Sequence, residues 1–323
     1  MNEPILHHYP SSPFAEKVRL VLGSKALAWR SVFIPAVMPK PDLTALTGGY
    51  RRTPVMQLGA DVYCDTALIC RVIDTLQPEA PLYPRSCAGL AEMMAQWADQ
   101  QLFWTAVTYT MQPAGLAHVL GEASPEQMKA FAADRAAFAP NTRRPTPVDA
   151  EAALRAMLGW MEAQLGHQSE RLSAEPGPWM AGPARSIADF ACAHALWFVR
   201  LAPPVAGILD GFPRVAEWLQ GMLSGGHGPS TRMKSAEALM VAATSGAAGL
   251  HAPVFVHPDL GFEPDAEVTV CATDVGLDPV AGRLVGLTPE RVTIERVDDR
   301  AGRVHVHFPR IGFQIKRQKA SPS

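Results

Sequence analysis

The sequence predicts a three-part chain: an α/β domain, an all-helical domain and a small β-rich domain of barrel or sandwich type. Three observations carry this. Strand and helix signals alternate over the first 80 residues, strand signals vanish over residues 86–245, and short β-branched runs separated by turn residues return after about residue 250. At 323 residues the chain is long enough for two or three domains. The domains expected are 1–80, 86–245 and 250–318.

In the first part, residues 4–8 are a short apolar run that fits a buried strand. Ser12-Pro13 then reads as a helix start, with the hydroxyl at the cap and proline at the first helical position. Phe14, Val18, Val21 and Leu22 follow at helical spacing. Residues 29–34 give a second strand, and 41–46 a short helix or turn closed by Gly48-Gly49. Residues 55–58 and 62–64 read as a hairpin around Gly59-Ala60-Asp61, and 65–76 as a helix that stops at Gln77-Pro78. The order is βαβαββα.

In the second part, 88–111 reads as one long amphipathic helix, with chain breaks at 113–115 and 140–147. Helices are expected over 124–138, 149–165, from Ser186 to about residue 199, and over 212–223. Ser186-Ile187-Ala188-Asp189 has the form of a capping box. In the third part, strands are expected at 267–272, 283–285, 291–295, 303–308 and 314–316, as a separate unit dispensable for the chemistry of the first two parts.

Composition excludes several classes. Hydrophobic residues make up 48% and charged residues 19%, ample for a core and unlike a disordered chain. A net charge of −2 argues against a polybasic nucleic-acid binder. Five scattered cysteines (Cys64, Cys70, Cys87, Cys192, Cys271), with no C-x-x-C, suit free thiols in a reducing compartment. The N-terminus lacks the basic start and apolar run of a signal peptide. Residues 238–256 are nearly uncharged, but Ala, Gly, Ser and Thr dominate them and Pro253 follows. A helix end and linker fit better than a membrane span. A soluble, cytoplasmic protein is expected.

The sharpest local feature is 11–20, SSPFAEKVRL. Ser12 stands where a strand turns into a helix, and helix N-termini offer unsatisfied N–H groups and partial positive charge to an anion. Two readings stay open from the motif alone, a plain N-cap and an anion site. Thr53-Pro54-Val55 lies where a loop leads into a strand, and Asp65-Thr66 where a strand meets a helix.

Taken in order, these pieces resemble the glutathione transferase superfamily, which pairs a thioredoxin-like first domain with an all-helical second one. Residues 12–22 look like the omega class, which carries Cys where this chain has Ser12. Pro10-Ser11-Ser12-Pro13-Phe14 looks like the serine-using tau and zeta classes. The resemblance covers roughly residues 3–230 and implies glutathione as co-substrate, a hydrophobic electrophile as second substrate, a homodimer and detoxification-type chemistry. It implies no metal, nucleic acid or membrane partner.

By that resemblance Ser12 is the catalytic hydroxyl, donating a hydrogen bond to the glutathione sulfur. A thiol of pKa near 8.5 is only about 3% ionised at pH 7, and a depression of about two units, worth roughly 2.7 kcal/mol, would ionise most of it. Thr53, before a cis Pro54, would pair with the cysteinyl backbone. Asp65 would hold the γ-glutamyl amino group and Thr66 its carboxylate. Arg52 stands where related classes place a basic residue for the glycine carboxylate, and otherwise reads as a solvated surface arginine. Thr66 departs from the usual Ser, and Thr47-Gly48-Gly49-Tyr50 replaces the usual Asn-Pro. Tyr9 is a rival hydroxyl donor.

Other candidates read more plainly. His305 and His307 alternate on one strand face and suit a surface or interface role better than a metal, for want of a third ligand. His7-His8 read as structural. Met93, Met94, Trp97, Phe103 and Trp104 form a stripe open to both core packing and an apolar substrate pocket. The alternatives to a transferase are a glutathione-dependent isomerase or dehalogenase on the same site, and a non-catalytic binding protein of the same fold whose β-rich part recruits a partner.

Overall fold

Strand β1 (Ile5–His8) is buried along its whole length, and helix α1 (Pro13–Ser24) returns the chain so that β2 (Trp29–Phe33) pairs with it in parallel. This is the strand–helix–strand unit of a parallel pair. The computed structural model describes residues 3–121, 123–139, 145–171, 178–245 and 255–318. Helix α2 (Pro41–Thr47) ends at Gly48, whose φ of 78° is the left-handed C-cap geometry glycine supplies without strain. Strands β3 (Val55–Leu58) and β4 (Asp61–Cys64) form the expected hairpin, with β3 antiparallel to β1, and α3 (Thr66–Leu76) closes the unit.

Side chains on these strands alternate between two cores, as the period of two requires. Leu6, Met56, Leu58 and Tyr63 pack with α1, α3 and the helical domain. Ile5, Val55, Val62 and Cys64 pack on the opposite face.

The helical part runs α4 (Ala88–Trp97), a π-helical turn over Ala98–Leu102, and α5 (Phe103–Thr110). The single helix expected over 88–111 is thus continuous but widened at its middle. Helix α6 (Pro113–Leu120) begins where a break was expected, because Pro113 sits at the helix start, where its missing N–H costs nothing. Then come α7 (Pro125–Phe138), α8 (Pro147–Arg171), α9 (Ile187–Arg200), α10 (Pro203–Ala206) and α11 (Pro213–Ser224). The capping box at α9 is present: the buried Asp189 carboxylate accepts from Ser186 N–H, Met180 N–H and Trp218 Nε1–H.

One strand was missed. β5 (Ser230–Arg232) pairs in parallel with β2, and its three exposed polar residues carry no alternation to read. Helix α12 (Ser235–Ser245) packs beneath the sheet through Ala238, Leu239 and Ala242. Of the nearly uncharged stretch 238–256, residues 246–254 lie outside the described residues. The Arg143-Arg144 pair, which like Arg51-Arg52 is too short to read as a nucleic-acid tract, lies outside them too.

The last part holds β6 (Glu267–Ala272), β7 (Val280–Leu287), β8 (Arg291–Asp298), β9 (Gly302–Pro309) and β10 (Phe313–Arg317), all antiparallel neighbours. These strands do not stand apart. β9 pairs in parallel with β4, giving a ten-stranded sheet in the order β10-β6-β7-β8-β9-β4-β3-β1-β2-β5. Val268, Ile294, Val306 and Phe308 share a core with Val55, Val62 and Leu46.

A buried polar seam crosses this junction. The His307 ring, held neutral by burial against the pull of Asp61, donates from Nε2 to Asp61 at 2.8 Å and accepts at Nδ1 from Thr293 at 2.9 Å. Tyr63 stacks on the same ring at 4.5 Å. His305 lies 3.4 Å from Glu295. Both histidines therefore serve an interface inside the chain, and among the described residues no group of three or more His, Cys, Asp or Glu could hold a metal ion. His7 and His8 are likewise internal, hydrogen-bonded to Gln57 and Ser31.

Candidate functional site

A cavity of about 530 Å³ opens where the first sheet, the helical domain and the last strands meet, and Ser12, Arg52, Thr53, Pro54, Asp65 and Thr66 all line it. Six residues from three chain segments, chosen from sequence, are brought to one space.

Ser12 is the N-cap of α1. Its Oγ accepts the Ala15 N–H at 3.3 Å. That bond uses an oxygen lone pair and leaves the hydroxyl proton free to donate, so the cap and the anion site are compatible roles for one side chain. The Tyr9 hydroxyl lies in hydrogen-bonding reach of Ser12 and also lines the cavity. Burial raises the Tyr9 pKa, with Arg135 opposing the rise. Tyr9 therefore joins Ser12 at the helix start.

Asp65 caps α3 and accepts the Ala67 N–H at 3.0 Å. Its φ of 74° with ψ of 136° is a backbone conformation that residues other than glycine rarely adopt. Such strain gathers at binding sites. Burial raises its carboxyl pKa, against the opposing pull of Arg52. Thr66 is the first residue of α3, where the N–H has no partner within the helix. The Thr53–Pro54 bond is cis.

Arg52 reaches the cavity wall but its guanidinium is already engaged. It donates to the Val275 carbonyl from Nε at 3.1 Å and from Nη2 at 2.6 Å, pairs with Asp274, and lies 3.7 Å from Asp65. The solvated-arginine reading does not hold.

Lys40 was not singled out from the sequence, and it is the better placed cation. It is 4% exposed, lines the cavity, and donates to Thr53 Oγ1 at 3.0 Å and the Arg51 carbonyl at 3.4 Å. Burial, with Arg135 and Arg51 nearby, lowers its pKa to about 8. Its one sequence signal is a lysine just before the proline that starts α2.

Asp99 sits on the π-helical turn and lines the same cavity. Burial pushes its carboxyl up, but Lys17 at 2.6 Å and His194 at 3.0 Å bring it below its ordinary value. The aromatic stripe divides: Phe103 and Trp104 face the cavity, Met94 and Trp97 pack on the core, and Met93 is 66% exposed.

The far wall comes from two places, the second of them outside the expected two-domain site. One is α7, through Phe131, Arg135 and Phe138. The other is the turns of the last sheet, through Asp274, Val275, Arg310 and Phe313. The Gly276 N–H donates to the Phe138 carbonyl at 2.7 Å and ties the two together. Gly276 has φ of 59°, and a Cβ there would lie 2.8 Å from the Phe138 ring. Two polar atoms of cavity-lining residues, Tyr50 Oη and Arg135 Nε, are buried with no hydrogen-bond partner among the described residues.

Comparison with known proteins bears on the family and the fold. The family "Glutathione S-transferase, N-terminal domain" matches residues 6–81, and "Glutathione S-transferase, C-terminal domain" matches residues 113–221. A glutathione S-transferase from Rhodospirillum rubrum shares the fold, at TM-score 0.51 and 19% identity over 68% of this chain and 88% of that one. FtsZ-localized protein A of Caulobacter vibrioides is 27% identical over 199 residues, 60% of this chain and 76% of that protein. A GST-like protein from Pseudomonas syringae is 39% identical, with TM-score 0.77, over 98% of this chain and 100% of that one. The last match includes the strands after residue 250, and with the two domain matches it shows that the chain belongs to the glutathione S-transferase family.

Proposed function

We propose that the protein is a serine-type glutathione transferase of tau-, zeta- or omega-like site chemistry, which binds glutathione in this cavity and activates its thiol for attack on an apolar electrophile. The observation that carries the reading is that Ser12, Thr53, Asp65 and Thr66, separate in sequence, line one cavity at two helix N-termini.

In this reading the Ser12 hydroxyl donates to the sulfur, and the start of α1 adds its partial positive charge. Asp65 receives the γ-glutamyl ammonium and the Thr66 N–H and hydroxyl receive its carboxylate. The Thr53 backbone pairs with the cysteinyl unit. Lys40 takes the glycine carboxylate, because Arg52 is held by Asp274 and Val275. The thiolate then forms a carbon–sulfur bond with the electrophile, held against Phe103, Trp104 and the far wall.

Among the described residues no single helix is long and apolar enough to cross a membrane, and the described cysteines are free. Both support a cytoplasmic setting. The exposed Leu90 and Met93 of α4 support a homodimer. The domain limits proposed are 1–80, 86–245 and 250–318, the third sharing its sheet with the first.

The test is Ser12→Ala, followed by titration of the thiolate absorbance of bound glutathione. Loss of a hydrogen bond to a charged group costs about 1.5–3 kcal/mol, a rise of about one to two pKa units. Matching titration curves would remove Ser12 from the mechanism. The likeness to FtsZ-localized protein A supports a second reading, a binding protein of the same fold without turnover. Glutathione binding with no conjugation of any electrophile would favour it.

A further inference from the structure

Helix α7 is 14 residues long, and none of its residues is buried. Such a helix is marginal in water without tertiary burial. Polar ties hold it in place: Asp134 accepts from Arg51 and from the Met38 N–H, and the Phe138 carbonyl accepts from Gly276. Yet Phe131, Arg135 and Phe138 all line the cavity. The apolar surface of α7 faces space that a ligand would fill.

The charge on this wall is unbalanced. Arg51 and Arg135 share the Asp134 carboxylate at 2.8 and 2.7 Å. Lys40 donates only to neutral oxygens. The second acid near this group, Asp278, is half exposed and 3.7 Å from Arg51. With Lys40 assigned to the glycine carboxylate, Arg51 and Arg135 are left sharing one buried carboxylate, with Asp278 only at the rim. Burial lowers the Lys40 pKa first, and Arg135 and Arg51 lower it further against the pull of Asp134.

Arg135 has the means to answer an anion. Its Nη2 is used by Ala36 and Asp134, while Nε is buried with no hydrogen-bond partner among the described residues. Its guanidinium lies 5.1 Å from the centre of the Phe131 ring and 5.2 Å from that of Phe138. It lines the same cavity as Tyr9 and Ser12, and its charge opposes the rise that burial causes in the Tyr9 pKa. A guanidinium flanked by aromatic rings suits an oxyanion carried on an apolar body.

We propose that the second substrate is an apolar electrophile bearing a carboxylate or similar oxyanion, bound by Arg135 with Phe131 and Phe138 against its apolar body. The assignment rests on the transferase reading for its reaction, and on the cavity wall alone for its binding.

The test uses the full chain with 4-chloro-3-nitrobenzoate and its methyl ester. In both, the glutathione thiolate attacks the ring carbon bearing chlorine. The C–S bond forms, the C–Cl bond breaks, and chloride leaves with the electron pair. The protein should favour the acid over the ester in kcat/KM relative to the uncatalysed rates. Arg135→Met should lower that preference at least tenfold, and Arg135→Lys should retain part of it. A parallel calorimetric titration with unreactive 3-nitrobenzoate and its methyl ester reads the anion site without turnover. Equal affinity for acid and ester in the parent would overturn the proposal. So would an equal loss for both in Arg135→Met, or a loss of glutathione affinity with the acid preference intact in that variant. Acid preference in a parent that binds no glutathione would support the anion site and defeat the transferase reading alone.

Discussion

Replacing His307 with leucine tests the seam that joins the last five strands to the first sheet. His307 and Asp61 are each 1% exposed, and their 2.8 Å bond crosses from β9 to β4. The substitution removes a hydrogen bond to a carboxylate, worth about 1.5–3 kcal/mol. It also leaves the Thr293 hydroxyl without its acceptor and removes the ring stacked on Tyr63. Asp61 fares worst. Its Oδ2 already has no partner, and the nearest remaining cationic candidate is His305 at 4.0 Å. A buried charge stripped of its partner costs about 3–5 kcal/mol, and the apolar leucine returns part of that, so the expected loss is about 3 kcal/mol. Equilibrium urea unfolding at pH 7 measures it, with Asp61→Val and the double variant completing a cycle. The double variant should be more stable than the sum of the single losses by about 2 kcal/mol, because removing both partners leaves no orphaned charge. A loss below about 1 kcal/mol in His307→Leu, or strict additivity in the cycle, would refute the claim that this pair holds the junction.

Three further outcomes are expected. Asp65→Ala should raise the KM for glutathione about tenfold or more while kcat at saturation stays nearly constant, since its contact is far from the sulfur and alike in ground and transition states; a large fall in kcat would contradict the assignment. Lys40 is protonated below about pH 8 and can hold a carboxylate only there, so the KM for glutathione should rise as pH climbs through about 8, and Lys40→Arg should flatten that rise. Its folded pKa lies below the ordinary 10.5, so Lys40 should also make the fold more stable as pH rises from about 8 to 10.5, read as a flatter urea-midpoint profile in Lys40→Met. A chain ending at Ser245 should aggregate or lose about 10 °C or more in Tm, because it uncovers β4, Asp61 and the Val55–Val62 face; a truncated chain with the parent's Tm and glutathione affinity would show the last strands to be dispensable.

What could be read in the sequence was local. Ser12-Pro13 marks a helix start by its own chemistry, Gly48 marks a helix end, and Ser186 with Asp189 writes a cap in four residues. Thr53, in a loop leading into a strand, and Asp65-Thr66, where a strand meets a helix, were also legible as positions, and the family resemblance supplied their roles. What escaped was set by partners far along the chain. β9 pairs with β4 across some 240 residues, and nothing in either strand names the other. Arg52 looks free until Asp274 arrives. Lys40 stands out only once burial and the guanidiniums around it are seen. Phe131 and Arg135 belong to a helix with little apolar pattern, because the surface they serve is a cavity and not a core.

The pairing of β4 with β9 also bears on how the chain is made. As synthesis proceeds at about 5–20 residues per second, β4 leaves the ribosome on the order of tens of seconds before β9 exists. Through that interval its outer backbone groups form an open sheet edge, the kind that recruits stray strands from other chains. Asp61 sits at the start of that edge, a charge turned toward the interior, and a foreign strand laid there would have to bury it unpaired. Only a strand that brings an imidazole within reach of it, as β9 brings His307 from the position facing Tyr63, removes the penalty. The residue that fastens the finished sheet therefore also guards it while unfinished.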